Sequence, residues 1–267
     1  MIGAAPAKIN LALVVGAVRA DGKHELVTLF QRIDLGDRLT VEPAAETTVD
    51  GFPQDTIVRA ALDALPARHG WRVRIEKRIP VAAGLGGGSS DAATALRLSN
   101  AQLDEPLGQR ELHELAAGVG ADVPFFLRDG PQLGRGDGTT LEPAELPQDF
   151  VVLLVLPDGV RKLSTASVYE RFDRRDGPVG FAERAARVEA VVAAARRPRD
   201  LAALPPNDLA ASPHADELRS LGAFRADVTG AGPTVYGLFH HRADAVAAER
   251  AFRGRGRLWI TVPAWYG

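Results

Sequence analysis

Pro80-Val81-Ala82-Ala83-Gly84-Leu85-Gly86-Gly87-Gly88-Ser89-Ser90-Asp91-Ala92-Ala93 packs four glycines into five positions, then two serines, an aspartate and an alanine-rich run. Glycines strip side chains from a turn and leave its backbone N–H groups bare. The alanine run reads as a helix to about Leu98, with Ser89 or Ser90 as its N-cap. Bare N–H groups at a helix start favour negative charge, so the stretch reads as a phosphate cradle. It fits neither of the two common nucleotide loops. A Walker loop needs a lysine after its last glycine, and Gly88 is followed by Ser89. The G-x-G-x-x-G fingerprint fails at the same serine. Both of those loops also follow a nearly all-apolar parallel strand. Here Trp71, Val73, Ile75 and Ile79 alternate with Arg72, Arg74, Glu76 and Arg78, which predicts a half-solvated, antiparallel strand.

Upstream, Ala7 to Val15 also alternates. Ile9, Leu11, Leu13 and Val15 share one face, and Lys8, Asn10, Ala12 and Val14 the other, as in a half-buried strand. Strands are expected at Leu26–Leu35 and Arg38–Glu42, and helices at Thr56–Arg68 and about Gln109–Ala117. Prolines and acidic residues gather near Glu142–Gln148 and mark a seam. Beyond it Phe150–Leu156 reads as a buried strand, followed by helices at about Ser164–Phe172 and Phe181–Arg196 and a proline-rich link. A short helix, a strand at Arg225–Val228, the loop Thr229-Gly230-Ala231-Gly232-Pro233-Thr234, a strand to Phe239, a helix at Arg242–Arg253 and a last strand at Leu258–Val262 complete the chain. The pattern is α+β in two parts, residues 1–148 and 149–267.

The 267 residues are 46% hydrophobic and 25% charged, with a formal net charge of −2 and no cysteine. A near-neutral chain offers no polyanion-binding surface, so no nucleic-acid partner is expected. The lack of cysteine excludes disulfides and thiolate chemistry and suits the cytoplasm. No apolar run approaches the roughly 20 residues of a membrane span. Lys8 and Asn10 interrupt the apolar N-terminus, which reads as a strand rather than a leader. The expected partner is a small molecule, and the expected state a monomer or weak homodimer. His240 and His241 are adjacent on a strand, point oppositely, and make no ready metal pair.

The glycine stretch resembles the ATP-binding motif of the GHMP kinases, a superfamily that phosphorylates small metabolites. Pro6-Ala7-Lys8-Ile9-Asn10-Leu11, Asp21-Gly22-Lys23-His24-Glu25-Leu26, Gly120-Ala121-Asp122-Val123-Pro124-Phe125-Phe126 and Asn207-Asp208-Leu209 are similar to the branch whose substrate is 4-diphosphocytidyl-2-C-methyl-D-erythritol. The Thr229–Thr234 loop resembles the superfamily's third glycine motif. The resemblance implies an N-terminal domain like ribosomal protein S5 domain 2 and a ferredoxin-like C-terminal domain, with ATP and substrate meeting between them. It implies transfer of the γ-phosphoryl of ATP to the 2-hydroxyl of the methylerythritol unit, in the non-mevalonate isoprenoid pathway. Another GHMP kinase, acting on homoserine, mevalonate or a sugar, is the alternative.

Spacing alone favours Asp122 as a helix N-cap; the resemblance makes it the catalytic carboxylate that orients and deprotonates the hydroxyl. Lys8 becomes the active-site cation that keeps Asp122 ionised. Asn10 and His24 match substrate-contacting positions. Pro80, Gly84, Leu85, Gly86, Gly87, Gly88, Ser89 and Ser90 would hold the nucleotide. Mg²⁺ is expected with ATP, held mainly by phosphates and water. Two departures stand out. Lys23 replaces an aromatic that stacks on cytosine in the family, with Tyr169 aligned to the base's other face or else a core-facing aromatic. Thr56 replaces an asparagine near adenine, so adenine contacts are expected through backbone.

Overall fold

The computed structural model describes residues 1–52, 56–160 and 164–264, apart from the side chain of Thr56. It is α+β, built on two sheets. The first contains β1 (Ile2–Val18), β2 (His24–Ala44), β3 (Thr48–Asp50), β4 (Gly70–Glu76), β5 (Gln132–Gly136) and β6 (Thr140–Pro143). Its order is β3-β4-β2-β5-β6, with β1 also paired to β2. Helices α1 (Thr56–Asp63), α2 (Gly87–Asn100) and α3 (Gln109–Val119) and the 3-10 turn Pro124–Leu127 cover one side. Their apolar residues meet Phe30, Leu39, Trp71, Val73 and Ile75 in one core.

The second sheet has β7 (Val151–Pro157), β8 (Arg225–Val228), β9 (Val235–Phe239) and β10 (Gly256–Thr261), in the order β10-β7-β9-β8. All its pairings are antiparallel. Helical chain separates β7 from β8, namely α4 (Thr165–Asp173), α5 (Phe181–Ala194), a 3-10 stretch at Pro198–Ala203 and α6 (Pro213–Ser220). Helix α7 (Arg242–Ala251) separates β9 from β10. This is the split βαβ order of a ferredoxin-like sheet. The continuous apolar run from Val152 to Val155 lies on the inner strand β7, covered on both sides.

Strand β1 joins the two layers. Ala7, Ile9 and Leu11 pack with Val152 and Leu154 of β7, Tyr236 and Leu238 of β9 and Val188 of α5. Lys8 and Asn10 point the other way, yet both are buried, so the expected half-solvated strand is closed on both faces. The expected alternation also fails midway. Ala12 and Val14 rejoin the core of Ile9 and Leu11, while Leu13 and Val15 pack against Val168 and Phe172 of α4. A register shift between Asn10 and Ala12 is the cause, because one extra residue in a strand exchanges its faces.

The two segments Leu26–Leu35 and Arg38–Glu42 form the single long strand β2. Strand β4 buries alternate residues as expected, and runs antiparallel to β2 but parallel to β3. Helix α2 corrects the expected cap. It starts at Gly87, with Gly86 as its left-handed N-cap at φ 70°, so Ser89 and Ser90 lie inside its first turn. Only glycine takes that conformation without strain.

Candidate active site

A cleft of about 810 Å³ opens where β1, the glycine loop and the β8–β9 loop converge. That volume is ample for a nucleotide and a second small molecule. Ser90 N–H makes the first intrahelical bond, to Gly86 C=O at 2.9 Å. The N–H groups of Gly87, Gly88 and Ser89 therefore lack partners within the helix, and they sit at the positive end of its dipole. All three residues line the cleft. A Cβ at Gly84 would come within 2.5 Å of the Thr229 carbonyl oxygen, and one at Gly86 within 3.0 Å of Lys8 and Phe126. Glycine is needed here for close approach of protein to protein as well as to ligand. Leu85 buries its side chain in the core beneath, and its carbonyl accepts from Lys8 N–H at 3.0 Å.

Lys8 Nζ donates to Asn10 Oδ1 at 2.6 Å and lies 3.3 Å from Asp122 Oδ2. It also sits over the Phe30 ring, 5.5 Å from the centroid. Asp122 precedes the 3-10 turn, whose N-cap is Val123, so the carboxylate is free of capping and faces the cleft. The structure thus brings Lys8, Asn10 and Asp122 together opposite Gly86–Ser89.

At the other end, Lys23 Nζ pairs with Asp137 at 2.6 Å. His24 Nε2 meets Asp173 Oδ1 at 2.9 Å. The Tyr169 ring stacks on His24, with centroids 4.6 Å apart and planes at 28°. Tyr169 lines the cleft and also packs against the cluster around Leu13 and Phe172. Burial, reinforced by the Asp122 charge, pushes its phenol up to about 12. The fit of Thr56 lies outside the description, since its side chain is among the residues not described. Pro80 lines the cleft beside Phe52 and Ile57.

The sequence reading missed a charged cluster below the loop. Lys77 Nζ donates to Asp37 Oδ2 and to Asp91 Oδ2, each at 2.6 Å. Asp37 Oδ1 accepts from Arg78 and Ile79 N–H. Burial opposes the charge on Lys77, but Asp91 and Asp37 outweigh it and hold its pKa above the ordinary value. A signal was present: a carboxylate among alanines in a buried helix demands a cation. Thr229 was also missed as a junction. Its hydroxyl accepts from Asn10 N–H at 3.1 Å and lies 3.3 Å from Gly84 C=O. Asn207 holds the same loop, donating from Nδ2 to Val228 C=O and Gly230 C=O at 2.8 Å each.

Residues 55–130 match the family model "GHMP kinases N terminal domain", and residues 215–258 match "GHMP kinases C terminal". A protein of Anaeromyxobacter dehalogenans named 4-diphosphocytidyl-2-C-methyl-D-erythritol kinase is 38% identical over 96% of this chain and 86% of its own length. A crystal structure of 4-(cytidine 5'-diphospho)-2C-methyl-D-erythritol kinase superposes with a TM-score of 0.75 at 36% identity, covering 99% of this chain and 100% of the other. A mevalonate kinase structure superposes at 0.72 over 98% of this chain and 99% of its own, but at 15% identity, which is a likeness of fold alone.

Proposed function

This chain belongs to the 4-diphosphocytidyl-2-C-methyl-D-erythritol kinase family of the GHMP kinases, and we propose that Asp122 and Lys8 are its catalytic pair. The activity is ATP-dependent phosphorylation of the 2-hydroxyl of 4-diphosphocytidyl-2-C-methyl-D-erythritol, in the non-mevalonate route to isoprenoid precursors. The relatives' identity over nearly the whole chain favours this acceptor over homoserine, mevalonate or a sugar. The observation that carries the catalytic reading is the Lys8–Asp122 pair, 3.3 Å apart and facing the glycine loop across the cleft.

In this reading the γ-phosphate of ATP lies between the N–H groups of Gly87–Ser89 and Lys8. The acceptor hydroxyl approaches Asp122, which orients it and takes its proton as the oxygen attacks phosphorus. The bond from phosphorus to the ADP oxygen breaks in the same displacement. The Lys8 ammonium stabilises charge on the moving phosphoryl and, 3.3 Å from Asp122, orients its carboxylate. Adenine rests near Phe52, Ile57 and Pro80, with Thr56 contributing backbone. The cytidyl end lies toward Lys23, His24 and Tyr169.

Among the described residues, no three of His, Cys, Asp and Glu group to hold a metal ion. Mg²⁺ is proposed to arrive with ATP, its ligands mainly phosphate and water, with Ser89 as an oxygen donor lining the cleft. It would neutralise phosphate charge. The division into domains at residues 1–148 and 149–267 is supported by the two sheets, the first ending at Pro143 and the second starting at Val151. Among the described residues no helix is long and apolar enough to cross a membrane. A monomer or weak homodimer in the cytoplasm, with a small-molecule partner and no nucleic acid, completes the proposal.

ADP release in the presence of Mg²⁺ with the cytidyl compound, homoserine, mevalonate and galactose tests the reading. Turnover with the cytidyl compound alone is expected. Turnover with one of the others and none with the cytidyl compound overturns it.

A further inference from the structure

Only one orientation of the Asn10 amide suits its neighbours. Thr28 on β2 is buried, and its hydroxyl proton is committed to the Ala12 carbonyl at 2.9 Å. Its oxygen is left as an acceptor and takes a hydrogen bond from Asn10 Nδ2 at 2.8 Å. Asn10 Oδ1 is thereby turned to the Lys8 ammonium, which donates to it at 2.6 Å. The flipped amide would set its NH₂ against an ammonium and its carbonyl against a lone pair. Thr229, reaching over from the second sheet, fixes the backbone of Asn10 by accepting its N–H.

We propose that Thr28 is a positioning residue for phosphoryl transfer. By dictating the Asn10 amide, it holds the Lys8 ammonium within 3.3 Å of Asp122. Thr28 acts through Asn10 and not on the reacting atoms. Lys8 is long and flexible, and its ammonium needs such a fixed acceptor to keep one geometry in a cleft wide enough for two substrates. The inference rests on Lys8 and Asp122 being the reacting pair.

Thr28→Val keeps the side chain's shape and removes both hydrogen bonds; Thr28→Ser keeps both. With the cytidyl acceptor, Thr28→Val is expected to lower kcat about tenfold or more while KM for ATP moves less than about twofold, and Thr28→Ser to restore most of the turnover. In an Asn10→Ala background Thr28→Val is expected to add nothing, because the path runs through Asn10. Wild-type kcat in Thr28→Val, or an equal loss in both backgrounds, overturns the proposal. A crystal structure of Thr28→Val provides a test that needs no acceptor. Separation of Lys8 from Asp122 supports the proposal, and an unchanged pair overturns it. Failure of the wild-type chain to use the cytidyl compound counts against the functional reading alone.

Discussion

The Lys8 ammonium and the Asp122 carboxylate form an ion pair that is closed at one end and open at the other, with side-chain exposures of 4% and 36%. The lysine is locked by Asn10 and Phe30. The aspartate keeps a face toward the cleft, where a hydroxyl can reach it. Asp122→Asn retains size and removes the proton acceptor. Its kcat is expected to fall by about 10²-fold or more, with nucleotide affinity little changed, since the N–H cradle is untouched. Steady-state ADP release and calorimetric nucleotide binding check the two halves. Full turnover in Asp122→Asn removes the base assignment.

The glycines of the loop differ in what they tolerate. Gly84 has φ +82°, and a Cβ there would press on the Thr229 carbonyl at 2.5 Å. Backbone cannot move aside as a side-chain tip can, so Gly84→Ala is expected to cost about 1–3 kcal/mol and to weaken ATP binding. Gly88 lies in the helix, and a Cβ there would meet only Ile57 Cδ1 at 3.6 Å. Gly88→Ala is expected to leave stability the same or raise it by up to about 1 kcal/mol through helix propensity. Urea unfolding of both variants measures the contrast; equal losses would show that the loop's backbone is not the constraint.

Much of this loop was readable from residue types, because four glycines before a helix admit few structures. Its helix start was not. Serines are the better caps by preference, but the approach of Lys8 and Phe126 selects a left-handed glycine at position 86, which only tertiary contacts reveal. The same holds for β1. Its alternation located the strand and placed Lys8 and Asn10 on one face, but the bulge after Asn10 and the burial of both faces come from its partners β2 and β7. Lys8 and Asp122 are separated by 113 intervening positions, so their pairing was accessible only through resemblance. Lys77, Asp37 and Asp91 carried a weaker signal, a charge within an alanine helix, that names no partner.

That buried cluster makes its own contribution to stability. Asp37 and Asp91 have fully buried side chains and share the one Lys77 ammonium. Lys77→Met leaves two buried carboxylates without it, at an expected cost of about 3–5 kcal/mol near pH 7. Urea midpoints of wild type and variant at pH 7 give the test. A variant as stable as wild type at pH 7 would mean that the cluster is solvated and the cation dispensable.

At the proposed cytidyl end, Lys23 and Asp137 meet at 2.6 Å, with the lysine 57% exposed and the aspartate 15%. Burial would raise the Asp137 pKa, but hydrogen bonds from Lys23 and Thr139 outweigh it and bring it to about 2. Lys23→Tyr is expected to lift that value while leaving it depressed, because both Thr139 donors remain. A carboxylate depressed in the folded state contributes stability that is present above its unfolded pKa and lost as pH falls through the folded one. The stability difference between wild type and Lys23→Tyr should therefore be flat above about pH 4 and shrink toward pH 2. It should stay below about 1 kcal/mol, since water screens so exposed a lysine. For substrate the sign is opposite. Tyr169 already has one face on His24, and a tyrosine at position 23 supplies a fresh ring for cytosine, so KM for the cytidyl acceptor should fall. An unchanged KM, with the Asp137 shift seen by NMR titration, would mean that the base binds away from position 23 and that Lys23 serves only its ion pair.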